Sequence, residues 1–206
     1  MQGKFISFEG TEGVGKTTAI EALITRLVDR GIQVVRTREP GGSELAEQLR
    51  QLFLNPNANM NADTEILLMF AARSDHLHQV ILPAIKSGKW VVSDRFFDST
   101  VAYQGFGRYH GKQAALAKIE LLIEQFVPIY PDVTLWIDLD VVTGMQRAAK
   151  RSAADRLEAN DIAFFERVYQ GLAYQHSQHS NRIHRIDANG TVAEVAARID
   201  TALGLD

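Results

Sequence analysis

No cysteine occurs among the 206 residues. That excludes disulfides, thiolate zinc sites, iron–sulfur clusters and cysteine nucleophiles, and it fits a reducing cytoplasm, the expected setting. Neither sign of charge dominates: 22 Lys and Arg stand against 25 Asp and Glu, a formal charge of -3. A global basic field for gripping a nucleic-acid backbone is therefore missing, and no nucleic-acid partner is expected. No apolar run approaches the roughly 18 residues of a membrane span, so no membrane partner is expected either. The opening MQGKFISFEG lacks the charged and long apolar regions of a signal peptide and reads as a strand. Linkers rich in Pro, Gly or Ser, internal repeats and low-complexity tracts are also missing, which leaves one domain over 1–206.

What is present is an alternation of short apolar runs with longer stretches of helical period. That pattern favours an α/β fold with a parallel sheet covered on both faces. Strands are expected at Lys4–Phe8, Ile32–Thr37, Trp90–Ser93, Val133–Leu139 and Ile183–Ile186. Helices are expected at about 16–29, from Ser43 as N-cap, from Asp63 as cap to about Lys86, and at about 113–126, 141–151, 160–180 and 191–203. Gly31 sits where a C-terminal cap belongs.

Between the first strand and first helix lies Gly10-Thr11-Glu12-Gly13-Val14-Gly15-Lys16-Thr17, which fits G-x-x-x-x-G-K-[ST], the P-loop. Its glycines let successive backbone N–H groups converge on phosphate oxygens at a helix N-terminus, where the dipole favours anions. Lys16 would reach the transferred phosphate and the Thr17 hydroxyl would help hold Mg²⁺; with Thr18, these residues form the expected ATP site. The loop does not identify the reaction, because many nucleotide-dependent enzymes share it.

Four further features point to a second anionic ligand that carries a base. Thr37-Arg38-Glu39-Pro40-Gly41-Gly42 follows strand two at the C-terminal sheet edge, where open α/β sheets bind ligands. The long helix carries Ile66, Phe70, Arg73, Leu77, Ile81 and Ala84 at steps of three or four, with Arg73 the one charge on an apolar face. A buried guanidinium must meet a carboxylate, a carbonyl or a polar ligand. Phe70 beside it suits stacking on a base. Asp94 and Arg95 end the third strand, one placed for Mg²⁺ through its waters and the other for a bidentate phosphate contact. Ser99, Thr100, Tyr103 and Gln104 follow, and the Gln104 amide can donate and accept on a base edge.

The run Val92-Ser93-Asp94-Arg95-Phe96-Phe97-Asp98-Ser99-Thr100-Val101-Ala102-Tyr103-Gln104 resembles the thymidylate kinase signature. Phe8-Glu9-Gly10, the Arg38–Gly42 segment and Asp155-Arg156-Leu157-Glu158 extend the resemblance along essentially the whole chain. It implies the nucleoside monophosphate kinase variant of the P-loop fold, with a five-stranded parallel sheet and a mobile lid. It also implies a homodimer and transfer from MgATP to dTMP, giving dTDP and ADP for dTTP synthesis. By the same resemblance Arg38 and Arg95 hold the dTMP phosphate, Glu12 lies near the sugar 3′-hydroxyl, Arg73 and Gln104 read the thymine edge, and Ser99, Thr100 and Tyr103 shape the pocket. Many relatives put the stacking Phe four residues before the arginine; here Met69 is four before and Phe70 three, and Phe70 is the expected stacker.

Phosphoryl transfer also needs a cation that meets the transferred group away from water. Arg147, Lys150, Arg151 and Arg156 crowd into ten residues, within an expected lid at about 144–158. Arg147 and Arg151 are four apart and share a helix face. Since the loop position that some relatives fill with arginine is Gly13, the chain resembles the lid-arginine, bacterial-type pattern. His76 and His78 point to different helix faces and cannot chelate together. Another monophosphate acceptor, a deoxynucleoside, or a nucleotide-dependent switch are the competing functions; Arg38, Arg73 and Arg95 favour a phosphorylated acceptor.

Overall fold

The computed structural model describes residues 3–150, 156–157 and 160–205. Five strands run β1 (Phe5–Glu9), β2 (Val34–Arg38), β3 (Trp90–Asp94), β4 (Val133–Asp138) and β5 (Ile183–Asp187). They form one sheet in the order β2-β3-β1-β4-β5, with every neighbouring pair parallel. The helices are α1 (Lys16–Asp29), α2 (Glu44–Leu54), α3 (Ala62–His76), α4 (Leu82–Lys86), α5 (Phe97–Thr100), α6 (Gln113–Phe126), α7 (Val141–Ala149), α8 (Ile162–Gln178) and α9 (Val192–Leu203). Strand order reverses direction around β1, so the loop after β1 opens at the switch point where this class of sheet binds ligands.

The pleat of β1 sorts its side chains between two layers. Ile6 and Phe8 face α1 and α9, packing with Ile20, Leu23, Leu27 and Ile199. Phe5 faces the opposite layer with Ile66, Leu77, Ile81, Phe96 and Ile119. Further along that side, Trp136 of β4 and Ile183 of β5 meet Phe164, Phe165, Val168 and Leu172 of α8. Helices thus cover both faces.

Local chemistry sets the boundaries. Gly31 follows α1 in the left-handed region (φ 76°), and Gly31 N–H and Ile32 N–H donate back to Val28 and Leu27. Ser43 caps α2, accepting from Ala46 N–H. Two expectations need correction. The cap of the long helix is Asn61, whose side chain accepts from Thr64 N–H at 2.8 Å, and Asp63 lies inside the first turn. The helix is also not uniform to Lys86: a π-helical turn, Leu77–Ile81, separates α3 from α4. Pro83 at the start of α4 has no N–H and its ring would crowd the carbonyl four residues back, so widening the preceding turn relieves both problems. Residues 97–108, where only site side chains were foreseen, are helical throughout, as α5 and a second π-helical stretch, Val101–Arg108.

Candidate active site

The loops after β1, β2 and β3 open side by side, because these strands are hydrogen-bonded neighbours in register: Phe8 and Arg38 both pair with Asp94. Together with α3 and the Val101–Arg108 turn they enclose a single cavity of about 250 Å³. Its wall carries Glu12, Gly13, Val14, Gly15, Lys16 and Thr17 from the P-loop. It also carries Arg38, Arg73, Asp94, Arg95, Ser99, Thr100, Tyr103 and Gln104 from the second constellation. Gly10 and Thr11 instead shape the loop from behind: their carbonyls accept from the Lys16 ammonium at 3.1 and 2.9 Å. Thr18, on the exposed side of α1, is not on the wall. Burial, then the nearby Arg95, lowers the Lys16 pKa, against the pull of Glu12, Asp94 and Glu9.

Arg95 is the hub of the cavity floor. Its backbone is left-handed (φ 71°), a conformation that a non-glycine residue adopts only under constraint. One guanidinium nitrogen donates to Gly10 carbonyl (2.8 Å) and Ser99 Oγ (3.1 Å), the other to Glu12 Oε1 (2.6 Å) and Tyr103 Oη (2.8 Å). Tyr103 in turn donates to Glu12 at 2.9 Å. Burial works against the Arg95 charge, yet Tyr103, Glu12, Asp94 and Glu9 together hold its pKa above the ordinary arginine range. The phenol of Tyr103 is pushed well up, chiefly by burial. Behind this floor Glu9 accepts from Phe96 N–H at 2.8 Å and from the Ser99 hydroxyl. Burial first, then the Asp98 charge, raises Glu9 to about 7.

Arg73 answers both readings of its sequence position. It is buried, and Nε donates to Glu39 Oε2 (2.8 Å) while Nη2 donates to Thr100 Oγ1 (3.0 Å). Glu39 also meets His76 Nδ1 at 3.0 Å, and His76 Nε2 lies 2.6 Å from Thr37 Oγ1. The arginine is thus part of a structural ion pair. Its Nη1, however, is buried and has no partner among the described residues, on a side chain that lines the cavity. That is a donor held ready for an acceptor on a ligand. Arg38, by contrast, is exposed and folds onto Glu47 (3.3 and 2.8 Å), whose pKa that hydrogen bond lowers.

Phe70 is not on the cavity wall; Met69 is. Phe70 turns its ring under the Arg73 guanidinium (5.0 Å) and into the apolar layer with Ile66 and Leu77. Met69, on a different side of the same helix, faces the cavity in its place. Arg147 is exposed near the end of α7 and away from the cavity wall. Arg151, Asp155 and Glu158, with 152–154 of the expected lid, lie outside the described residues. Glu39, Arg50, Phe53, Leu54 and Leu157 line the cavity without having been assigned to it. Glu65, which is buried, and the half-buried Arg108 and Arg156 form an ion cluster immediately behind Gln104. No sequence signal marked this cluster, since Arg108 and Arg156 lie 43 and 91 residues from Glu65.

Two residues fit a divalent cation held mainly by phosphates and water. Thr17 offers its hydroxyl at the start of α1, and Asp94 carries a buried Oδ1 with no partner among the described residues. A phosphate-cradling loop, an acid beside it and four arginines around one pocket define a P-loop phosphotransferase whose acceptor already bears phosphate.

The sequence model of the thymidylate kinase family matches residues 8–199. A thymidylate kinase of Psychrobacter sp. (strain PRwf-1) is 64% identical over 197 residues, covering 96% of this chain and 95% of that protein. One from Acinetobacter baylyi is 50% identical over 186 residues, 89% of this chain and 90% of the relative. The crystal structure of thymidylate kinase from Ehrlichia chaffeensis superposes with a TM-score of 0.79 at 32% identity, over 98% of this chain and 99% of the other. The chain belongs to the thymidylate kinase family.

Proposed function

We propose that the protein transfers the γ-phosphoryl group of ATP to dTMP, giving dTDP and ADP in the synthesis of dTTP. One observation carries the reading: a single cavity holds both the P-loop and a base-sized pocket flanked by Arg38, Arg73 and Arg95. Donor phosphates would rest on the loop N–H groups and on Lys16, which exchanges its two carbonyl contacts for phosphate oxygens. The acceptor phosphate would take Arg38 and Arg95, with Glu12 near the sugar 3′-hydroxyl and Ser99, Thr100 and Tyr103 closing the pocket. Arg73 and Gln104 would hold the thymine edge, against Met69 as the apolar wall. Such an arrangement supplies orientation and charge, the two needs of a reaction in which the protein forms no covalent intermediate.

Mg²⁺ would be held by Thr17 and, through water, by Asp94, and when bound it supplies charge neutralisation between the phosphates. Arg147 and Arg151 would bring the remaining positive charge from the lid. A homodimer would pair the face on which Leu67 (60% exposed), Phe126 (50%) and Leu45 (49%) flank an apolar cleft along α3. No helix among the described residues is long and apolar enough to cross a membrane, and the cytoplasm is the proposed location.

The test is coupled ADP release with MgATP and dTMP, dUMP, dCMP, dGMP or dAMP in turn. A rate stimulated by dTMP well above the others is expected; ADP release indifferent to every monophosphate would overturn the reading.

A further inference from the structure

Glu65 lies on α3 and is buried to 1% exposure, with no access to the cavity wall. Its two oxygens accept from three side chains. Arg156 Nη1 donates to Oε1 at 2.7 Å, Arg108 Nε reaches both oxygens at 3.2 and 3.3 Å, and Gln104 Nε2 donates to Oε2 at 3.1 Å. Both guanidiniums are themselves fixed. Arg156 donates to Phe53 carbonyl (2.7 Å) and lies over the Phe53 ring, and Arg108 donates to Asn160 Oδ1 (2.7 Å) and lies over Phe164. With two guanidiniums upon it, Glu65 is an acceptor at both oxygens. The amide of Gln104 can then meet it only through its NH₂ end.

That assignment decides what Gln104 offers the ligand. With Nε2 held by Glu65, the polar end left for the cavity is the acceptor Oε1. The same cavity wall carries Arg73, whose donor Nη1 has no partner among the described residues. The pair complements a ring edge that presents a carbonyl oxygen beside an N–H, as thymine and uracil do. The reversed edge of cytosine, an amino group beside a bare ring nitrogen, would set donor against donor and acceptor against acceptor. We propose that Glu65 is a specificity-determining positioning residue, which locks the amide orientation of Gln104 and so makes the pocket select 4-oxo over 4-amino pyrimidines. The inference rests on reading this cavity as the dTMP site.

The test compares dTMP with 5-methyl-dCMP, which keeps the methyl group and reverses only the hydrogen-bonding edge. A site built to pair one edge rejects the other by about 10³-fold or more in kcat/KM. Glu65→Gln keeps the size of the side chain but lets it meet either end of the Gln104 amide. Preference for dTMP should fall by about tenfold or more, through KM rather than kcat, with the KM for ATP unchanged. A purely structural role would weaken both nucleotides alike and leave their ratio intact. The reciprocal pair Glu65→Gln with Gln104→Glu rebuilds a donor behind and an acceptor in front, and should regain the preference even if the single variant is too unstable to assay. A parent enzyme indifferent to dTMP defeats the reading of the site. A parent that prefers dTMP, with a folded Glu65→Gln whose ratio stays within about threefold of it, or a folded reciprocal pair without preference, defeats the role of Glu65 alone.

Discussion

Gly13 and Gly144 meet backbone to backbone. A Cβ on Gly13 would lie 1.9 Å from the Gly144 carbonyl oxygen, and one on Gly144 would lie 2.5 Å from the Glu12 carbonyl oxygen. The P-loop and helix α7 therefore touch without side chains between them, and Gly13 is left-handed as well (φ 69°). This contact supplies a physical reason why the loop carries no arginine at that position. Gly13→Ala is expected to lower kcat/KM for ATP by about 30-fold or more, since both the contact and the backbone conformation oppose a Cβ. Steady-state kinetics with ATP varied, alongside thermal unfolding, checks it; a variant with parental ATP kinetics would show that the loop tolerates displacement from α7.

Gln104→Leu removes both hydrogen-bonding functions from the pocket while keeping approximate size. An unpaired base edge is worth about 1–3 kcal/mol, so the KM for dTMP should rise roughly ten- to hundredfold. Glu65 retains Arg108 and Arg156 as donors, so the fold should persist. ATP hydrolysis without acceptor should not change. An unaltered KM for dTMP would remove Gln104 from the site.

Replacing Arg151 tests where the catalytic charge comes from, since Gly13 leaves the loop without an extra cation. Arginine fingers contribute about 10³–10⁵ in turnover, and with Arg147 and Lys16 compensating in part, Arg151→Ala is expected to lose roughly 10²–10³. Arg151→Lys should recover little of it, because a point charge does not reproduce the planar fork. Turnover and both Michaelis constants at saturating Mg²⁺ are the readout. Turnover within about threefold of the parent for Arg151→Ala would move the role to Arg147 or Arg156.

Glu9 gives stability a pH dependence of predictable sign. Its pKa in the fold is raised from 4.5 to about 7, so the folded state binds the extra proton between those values. The favourable contribution is complete below about 4.5 and is lost as pH rises through about 7. Glu9→Gln mimics the protonated group, accepting from Phe96 N–H and donating to Ser99. Relative to the parent, the variant should gain stability as pH climbs from about 5 to 8. Urea unfolding of both proteins across that range measures the difference; a gap that does not change with pH would mean that Glu9 ionises freely in the fold.

The P-loop was legible because glycine spacing, a preceding strand and a following amphipathic helix constrain one another. Sheet and helices were legible because their periods differ. The Met69 and Phe70 question was not, for a geometric reason: residues four and three before Arg73 sit about 40° to one side and 60° to the other on a helix of 3.6 residues per turn. Both neighbour the arginine, and only the packed layers decide which one meets the cavity. Asn61 and Asp63 are both competent caps, and the choice between them depends on where the chain leaves the loop at 55–61. Glu65 gave no sign of its role because its partners Gln104, Arg108 and Arg156 are 39, 43 and 91 residues away. Pro83 announced a disturbance, but its position near a helix end did not say that the turn before it would widen.

Gly144 and Arg156 bracket the basic stretch of the chain. The first rests on the phosphate-donor loop through its contact with Glu12, and the second rests on Glu65, behind the amide of the base pocket. Two fixed points on opposite sides of one cavity therefore feel different disturbances: displacement of the loop at Glu12 would be registered at Gly144, and loss of the Glu65 contact would be registered at Arg156.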